Sequence, residues 1–318
     1  MSCIDVFNGD ADGLCALIQW RLAEPEASLC VTGVKREVDL LRQVSARPGD
    51  RVTVLDVSFD RNRADVLRLL QAGAAIRYVD HHYAGDTPSH PALELMIDTS
   101  PGVCTSLLVD RRLGGRHAAW AVAGAFGDNL PAAAGARAAA LGLSAEDTAR
   151  LRRLGELLNY NAYGTHLADL HFHPADLFAR LRQYRDPRAV ATESAEFAAL
   201  AAGYESDLAA ARAVAPEQVS PRAAAYLLPD AAWARRAAGV WANELSRSFP
   251  ERAHLLVYAD GEGTLTVSVR AAQCAPHGAA AFCRRYPEGG GREAAAGINH
   301  LAPQAAPALL RDFFMAFG

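Results

Sequence analysis

The sequence has 318 residues, 51% of them hydrophobic and 21% charged, which is enough for two globular domains that each bury a core. The formal net charge of −4 shows no broad basic balance, so tight non-specific binding to long duplex nucleic acid is not implied, but it allows a short anion held through a metal ion. Of the 32 Lys and Arg residues, only Lys35 is a lysine, and arginine suits bidentate contacts with phosphate.

The sequence gives no sign of a membrane segment or of a disulfide framework. No basic stretch followed by an apolar run opens the chain, and no run of about 18 apolar residues occurs. We therefore expect a cytoplasmic protein without a membrane partner. The cysteines form no C-x-x-C pair, and we expect them to be buried free thiols. They are Cys3, Cys15, Cys30, Cys104, Cys274 and Cys283.

The first 130 residues alternate short apolar runs with helical patterns, as in an α/β domain with a parallel sheet and flanking helices. The predicted strands are residues 3–7, 29–34, 51–55, 75–79 and 95–97. The predicted helices are residues 14–22, 38–44, 62–70, 105–112 and 118–126.

Acids and imidazoles follow several of these buried elements directly. They are Asp10, Asp12, Asp56, Asp80, His81, His82 and Asp128. Because parallel strands bring their carboxyl ends to one edge of a sheet, we expect these side chains to meet there. For the first turn an alternative stays open, in which Asp12 simply caps the helix that follows.

Five carboxylates and an imidazole at one edge are too many negative charges to share a site without cations. The set exceeds what one ion needs and matches two, and we expect Asp56, on the central strand, to bridge them. Oxygen-rich ligation with one or two imidazoles favours Mn²⁺, with Mg²⁺ as the alternative, over a structural Zn²⁺. Two such ions about 3.5–4 Å apart activate a water and clamp the oxygens of a phosphoryl displacement.

The remainder of the chain is helical up to a second αβ unit. Residues 131–184 read as helices, interrupted at 159–166 by a polar, aromatic stretch that either lines a cleft or joins two helices. One long helix is predicted over residues 192–214, and His171 and His173 are not counted as ligands. The second unit is predicted to contain strands 223–228, 254–258 and 265–270, a helix capped by Asp230, and helices 279–286 and 304–317.

A glycine run and a strand-end arginine in the second unit suggest an anion site. Gly289, Gly290 and Gly291 let the backbone approach a ligand and present N–H groups to it. Arg270 ends a strand and is able to pair with a phosphate. The alternative is a flexible loop and a surface arginine.

These motifs resemble those of the DHH phosphoesterase family. Residues 8–13, 55–56, 79–82 and 127–129 match its four acidic motifs in order, and residues 268–270 and 289–297 resemble the DHH-associated domain of RecJ-type exonucleases and nano-RNases. The resemblance implies a DHH domain at 1–190, a helical linker at 191–215, and a smaller α/β substrate-binding domain at 216–318 across a cleft.

The resemblance also implies roles for individual residues. Asp10 and Asp56 would hold one Mn²⁺, while a second would be held by Asp12, Asp56, His81 and Asp128. Asp80 would orient an imidazole, and His82 would contact the scissile phosphate or protonate the leaving oxygen. The rest of the substrate would be bound by Arg270, Gly289, Gly290, Gly291 and Arg292. Two positions depart from the family: Asn8 replaces a His or Asp, and Arg292 replaces a His.

We therefore expect an Mn²⁺-dependent phosphoesterase that cleaves short single-stranded oligonucleotides or dinucleotides by metal-activated water. Two enzymatic alternatives are a phosphomonoesterase of the 3′-phosphoadenosine type and a cyclic-dinucleotide phosphodiesterase. A non-catalytic nucleotide-binding protein is the alternative from another class, favoured by Asn8 and Arg292. The sequence is compatible with a homodimer as well as with a monomer.

Overall fold

The computed structural model describes residues 1–273 and 278–318, which form two compact units. The first unit comprises Met1–Ala162 and Leu170–Ala202, and the second comprises Tyr163–Asp169 and Gly203–Gly318. Each unit contains one β-sheet with helices packed on it. A short segment, Tyr163–Asp169, thus belongs to the second unit although the residues on both sides of it belong to the first.

The sheet of the first unit has five strands, all parallel, in the order β2-β1-β3-β4-β5. The strands are β1 (Cys3–Asn8), β2 (Leu29–Gly33), β3 (Arg51–Leu55), β4 (Ala75–Asp80) and β5 (Leu93–Ile97). The predicted α/β class is confirmed, and the apolar runs of the sequence form these strands, of which β1, β3 and β4 are mostly buried. Parallel pairing brings the residues that follow β1, β3 and β4 to the same edge of the sheet.

Eight helices of the first unit connect and cover these strands. They are α1 (Ala11–Ala23), α2 (Phe59–Gln71), α3 (Thr105–Arg112), α4 (Ala118–Gly127), α5 (Pro131–Ala140), α6 (Ala145–Asn161), α7 (Pro174–Leu181) and α8 (Pro187–Glu193). The helix predicted over residues 38–44 is only a 3₁₀ turn, Leu40–Gln43.

The long helix predicted over residues 192–214 is confirmed as α9 (Ala195–Arg212), but its predicted start is wrong. Residues 192–193 belong to α8, and Ser194 lies between the two helices in an extended conformation. The Ser194 amide donates to the Val190 carbonyl at 3.1 Å, which closes α8, and its hydroxyl accepts from the Phe197 amide at 3.3 Å. A serine that satisfies an unpaired N–H group starts a new helix, although the apolar spacing continues through it.

Helix α1 is buried along most of its length because it packs against α3, α4 and α6. Its apolar residues are therefore not confined to one face. A Cβ atom at Gly127 would lie 2.2 Å from the Cβ atom of Ala11, so glycine is what allows α4 to end so close to the start of α1. This packing fixes the turn before α1 and the residue after α4, where Asp10 and Asp128 lie.

The second unit contains a mixed sheet in the order β10-β11-β9-β8-β7-β6. The strands are β6 (Gln218–Val219), β7 (Ala223–Leu227), β8 (Ala253–Ala259), β9 (Leu265–Arg270), β10 (Gly289–Gly291) and β11 (Ala295–Leu301). Only β7 and β8 pair in parallel; the other described pairs are antiparallel. The helices are α10 (Ala232–Ser248), α11 (Ala279–Cys283) and α12 (Ala306–Phe317).

Two local predictions for the second unit are wrong. Asp230 does not cap α10, because Ala231 is at the capping position and the Asp230 carboxylate instead pairs with Arg235 at 2.5 Å. The glycine run is not an open loop, because Gly289–Gly291 forms the edge strand β10 and pairs with β11, a strand that the sequence pattern did not reveal. Gly290 lies opposite Gly297 in this pairing.

Five cysteines fall among the described residues, and all are free thiols. Cys30 is partly exposed, whereas the other four are buried; Cys274 lies outside the described residues. No helix within residues 1–273 and 278–318 combines the length and the apolar composition that a membrane crossing requires.

Candidate metal centre

The turn after β1 is organised by Asp10. Its Oδ1 atom accepts hydrogen bonds from the amides of Asp12 at 3.0 Å and Gly13 at 3.2 Å, so Asp10 is the N-cap of α1. The alternative in which Asp12 caps this helix is therefore wrong. The other carboxylate oxygen of Asp10, Oδ2, accepts a hydrogen bond from the Lys35 ammonium.

The Asp12 carboxylate is fully buried and points towards the start of α3. Its two oxygens accept hydrogen bonds from the amides of Thr105 at 2.7 Å and Ser106 at 2.8 Å. These amides belong to the first turn of α3, where backbone N–H groups have no partner within the helix. The α3 N-terminus thus orients Asp12 and stabilises its negative charge.

Asp56 follows β3 in a left-handed backbone conformation, with φ of 59°. A non-glycine residue in this conformation costs about 1 kcal/mol, so the surrounding structure must hold it there. Its amide donates to the Val79 carbonyl at 3.0 Å, and its Oδ1 atom accepts from the Thr105 hydroxyl at 3.2 Å. The strained turn aims the carboxylate along the edge of the sheet, towards the end of β4.

At the end of β4, Asp80 positions both histidines. Its Oδ1 atom accepts from the His81 amide at 2.8 Å and lies 2.7 Å from Nδ1 of His82, while the carboxylate itself is completely buried. Because Nδ1 of His82 is hydrogen-bonded to Asp80, Nε2 is the ring nitrogen that is available to contact a ligand. The His82 side chain is 46% exposed, so solvent and a substrate can reach it.

The His81 imidazole lies among three carboxylates. Its Nε2 atom is 3.4 Å from Asp56, 3.8 Å from Asp128 and 4.0 Å from Asp12. Ligand atoms of Asp12, His81 and Asp128 all lie within 4.8 Å of one another, and so do those of Asp56, His81 and His82. Such oxygen and imidazole donors in one small volume fit a divalent cation.

The charges at this edge are not balanced by the protein alone. Burial raises the pKa of Asp56 well above its ordinary value, and the charges of Asp12 and Asp10 raise it further. Burial and the same two aspartates raise the pKa of Asp128 to about 7. Mutual repulsion favours the neutral form of these carboxyl groups, and a bound cation would restore the ionised form. The donor set therefore fits the divalent ion that the sequence predicts.

Lys35 and Asn159 belong to this cluster, and the sequence interpretation missed both. The Lys35 ammonium lies 3.2 Å from Oδ1 of Asn159 and 3.9 Å from Oδ1 of Asp128, in addition to its bond with Asp10. Burial disfavours an ionised Asp10, but the charge and hydrogen bond of Lys35 outweigh it and lower the pKa of that carboxyl. A signal was present in the sequence, because the only lysine follows the end of a predicted strand.

The predicted substrate-binding residues lie in the second unit. The Arg270 guanidinium donates to Oδ1 of Asn243 at 2.8 Å and to the Ser268 hydroxyl at 2.9 Å. Arg292 is exposed in the turn between β10 and β11.

The three glycines of β10 differ in their surroundings. A Cβ atom at Gly289 would lie 1.8 Å from the Cys283 carbonyl oxygen, and one at Gly291 would lie 2.5 Å from the Cα atom of Ala296. Packing alone thus accounts for these two glycines. Gly290 has open space where a side chain would be, and Gly291 is the exposed residue of this edge strand.

No protein-family model matches the sequence, and no curated protein sequence matches it. The chain is, however, similar to solved structures over almost its whole length. Against an exonuclease RecJ bound to manganese, the TM-score is 0.64 at 18% identity, covering 99% of this chain and 90% of that one. Against RecJ from Thermus thermophilus in complex with Mn²⁺, it is 0.66 at 19% identity, covering 98% of this chain but only 51% of that one.

A third similar structure is that of a smaller enzyme. It is the pGpG-specific phosphodiesterase PggH from Vibrio cholerae, with a TM-score of 0.55 at 12% identity, covering 99% of this chain and 98% of that one. At these identities the likeness is one of fold. The chain has the DHH-family phosphoesterase fold, with a five-stranded parallel sheet in one unit and a mixed sheet in the other.

Proposed function

We propose that this protein is a metal-dependent phosphohydrolase that cleaves phosphodiester bonds in short oligonucleotides or dinucleotides, with Mn²⁺ as its ion. The observation that carries the proposal is the convergence of Asp12, Asp56, His81 and Asp128 from separate strand and helix ends. The fold adds support, because similar structures include an exonuclease bound to manganese and a phosphodiesterase for a linear dinucleotide.

In this proposal Asp12, Asp56, His81 and Asp128 hold the divalent ion. When bound, such an ion supplies a Lewis acid that acidifies water and polarises the phosphate oxygens. The hydrogen bonds from the amides of Thr105 and Ser106 keep Asp12 fixed, so that the site is ordered before an ion arrives. The left-handed turn at Asp56 does the same for the carboxylate beside His81.

His82 is proposed to protonate the leaving oxygen. Its hydrogen bond with Asp80 raises the pKa of the imidazole, which favours the protonated form that a general acid needs. The bond also fixes the ring, since Asp80 is completely buried and held by the amides of His81 and Phe59. Asp80 is thus a positioning residue, and His82 is the catalytic residue that meets the substrate.

The second unit is proposed to bind the remainder of the substrate through Arg270, Arg292 and the edge strand β10. The Arg270 guanidinium is held in place by Asn243 and Ser268, which suits a fixed contact with one phosphate. On β10, the open space beside Gly290 offers a surface for an anion or a base.

The test is a substrate panel assayed with Mn²⁺ and with Mg²⁺. The panel contains pGpG, single-stranded pentanucleotides of RNA and DNA, a cyclic dinucleotide and a 3′-phosphorylated adenosine nucleotide. We expect turnover of pGpG and the pentanucleotides, with a loss of at least ~100-fold in kcat/KM for Asp56→Asn and for His81→Ala. The matched control is Asp39→Asn, which changes a half-exposed carboxylate paired with Arg42 and should leave turnover unchanged.

The panel also distinguishes the alternatives. Hydrolysis confined to the 3′-phosphorylated nucleotide would replace the proposal by a phosphomonoesterase, and hydrolysis confined to the cyclic dinucleotide would replace it by that type of phosphodiesterase. Tight nucleotide binding without turnover under either metal would favour a binding protein. Full activity in Asp56→Asn would contradict the proposed centre, whatever the substrate.

A further inference from the structure

Lys35 is anchored within the metal centre by its own main chain. Its amide donates to the Ala162 carbonyl at 3.1 Å, and its carbonyl accepts from Nδ2 of Asn8 at 3.3 Å. The side chain is 31% exposed, and its ammonium contacts oxygens of Asp10, Asn159 and Asp128. The ammonium is therefore enclosed by acceptors from three separate parts of the first unit.

Both carboxylate oxygens of Asp10 accept hydrogen bonds from the protein, and one of the donors is a cation. One of its oxygens caps α1, and the other is bonded to Lys35. It belongs to neither of the two donor groups found among the described residues, which contain Asp12, Asp56, His81, His82 and Asp128. The resemblance assigns Asp10 to the first of two ions, but the Lys35 ammonium is already bonded to this carboxylate.

Asn8 is committed in the same way. Its Oδ1 atom accepts from the Asp10 amide at 3.2 Å, while its Nδ2 atom donates to the Lys35 carbonyl. Asn8 carries no charge, so it does not offset an extra cation, and its amide ties the Asp10 turn to the Lys35 backbone. The substitution at Asn8 and the presence of Lys35 are parts of one local arrangement.

The residue type at position 35 also suits a place between close oxygens. Lys35 is the only lysine among 32 Lys and Arg residues, so every other basic position is an arginine. An ammonium is a compact point charge with three donors, and it fits between close oxygens where a planar guanidinium would not. A divalent ion placed beside Asp10 would lie next to this ammonium, and the two like charges would repel at low dielectric.

We propose that Lys35 takes the place of the second divalent ion, so that this centre holds one divalent ion and one built-in ammonium. The ion is held by Asp12, Asp56, His81 and Asp128, and Lys35 supplies positive charge at the Asp10 side, where a phosphate oxygen would otherwise meet a metal. The inference rests on the proposed function for the first ion and departs from the sequence expectation of two.

The test counts bound ions on the full chain. Native mass spectrometry and isothermal titration calorimetry with Mn²⁺ give the stoichiometry of the wild type, of Lys35→Met and of Arg42→Met. We expect one ion for the wild type and two for Lys35→Met, because removal of the ammonium leaves Asp10 without its cation. Arg42→Met removes one positive charge from a side chain that is 60% exposed, and it should keep a stoichiometry of one.

The outcomes separate this inference from the proposed function. Two ions on the wild type would overturn the inference, and so would a single ion on Lys35→Met. No bound ion on any variant would instead refute the metal centre itself.

A second measurement uses the wild type alone, in case Lys35→Met does not fold. Because the chain has one lysine, protein labelled with ¹³C at lysine Cε gives a single side-chain signal. Titration with Mg²⁺ should shift this signal in one phase that is complete at one equivalent. A second phase at two equivalents, as expected if an ion displaces the ammonium, would contradict the inference.

Discussion

Asp128→Asn should make the metal-free protein more stable at alkaline pH, although it removes a proposed metal ligand. Burial, with the charges of Asp12 and Asp10, raises the pKa of Asp128 to about 7 in the folded state. In the unfolded chain the same group titrates near its ordinary value of about 4. The folded state therefore holds an extra proton between these values, and stability without metal falls as the pH rises from 4 towards 7.

The magnitude follows from the same values. At about 1.4 kcal/mol per pH unit, ionised Asp128 destabilises the folded, metal-free protein by at most ~4 kcal/mol above pH 7. Because its side chain is 20% exposed and Lys35 is nearby, we expect about 1–3 kcal/mol to be recovered by Asp128→Asn. The gain should shrink as the pH falls towards 4 and vanish below it, where the aspartate is protonated in both states.

Urea unfolding followed by circular dichroism, in EDTA at pH 5 and pH 8, measures this directly. Saturating Mn²⁺ should reverse the order of stability, because an ion at 100 times its Kd stabilises the wild type by about 2.7 kcal/mol. Asp39→Asn is the control and should show no pH-dependent difference from the wild type. An Asp128→Asn variant that is less stable than the wild type in EDTA at pH 8 would refute the charge-repulsion reasoning.

Three further perturbations address the packing, the second unit and the proposed catalytic histidine. Gly127→Ala should destabilise the protein by roughly 1–3 kcal/mol in urea unfolding, since its methyl group would meet Ala11, whereas Gly135→Ala, with open space, should be neutral or slightly stabilising. Burial lowers the pKa of His254 to about 4, so the protein should lose up to ~3 kcal/mol as the pH falls from 6.5 to 4. His254→Phe should flatten that part of the stability profile, and an unchanged profile would contradict this assignment. Asp80→Asn should lower kcat by about 10–100-fold and move the alkaline limb of the pH–kcat profile to lower pH, with KM nearly unchanged.

The sheet of the first unit was predictable because its signal is local. The strands β1, β3 and β4 are short, mostly buried apolar runs, and the acids at 10, 56 and 80 lie at or just beyond their ends. Since parallel pairing forces the strand ends to one edge, the neighbourhood of Asp12, Asp56 and His81 could be expected from sequence alone, whereas Asp128 follows helix α4. The structure brings all four together.

The contacts of Lys35 were not predictable, because they join residues far apart in sequence. The ammonium meets Asp10, 25 residues away, and Asn159, 124 residues away, and neither spacing follows a secondary-structure period. The strand conformation of the glycine run was not predicted for a similar reason. The conformational freedom of glycine suggests a loop that binds an anion. The requirement for glycine at position 289 instead comes from the close approach of the Cys283 carbonyl, which depends on how α11 packs beside β10.

The most direct test of the metal centre is Mn²⁺ affinity measured by electron paramagnetic resonance on the wild type, Asp56→Asn and Asp39→Asn. Asp56 is buried, and its carboxylate faces the cluster at 3.4 Å from Nε2 of His81. If the strand ends hold the ion, Asp56→Asn should weaken Mn²⁺ binding by at least ~10–100-fold while Asp39→Asn binds as the wild type does. Equal affinity in all three proteins would contradict it.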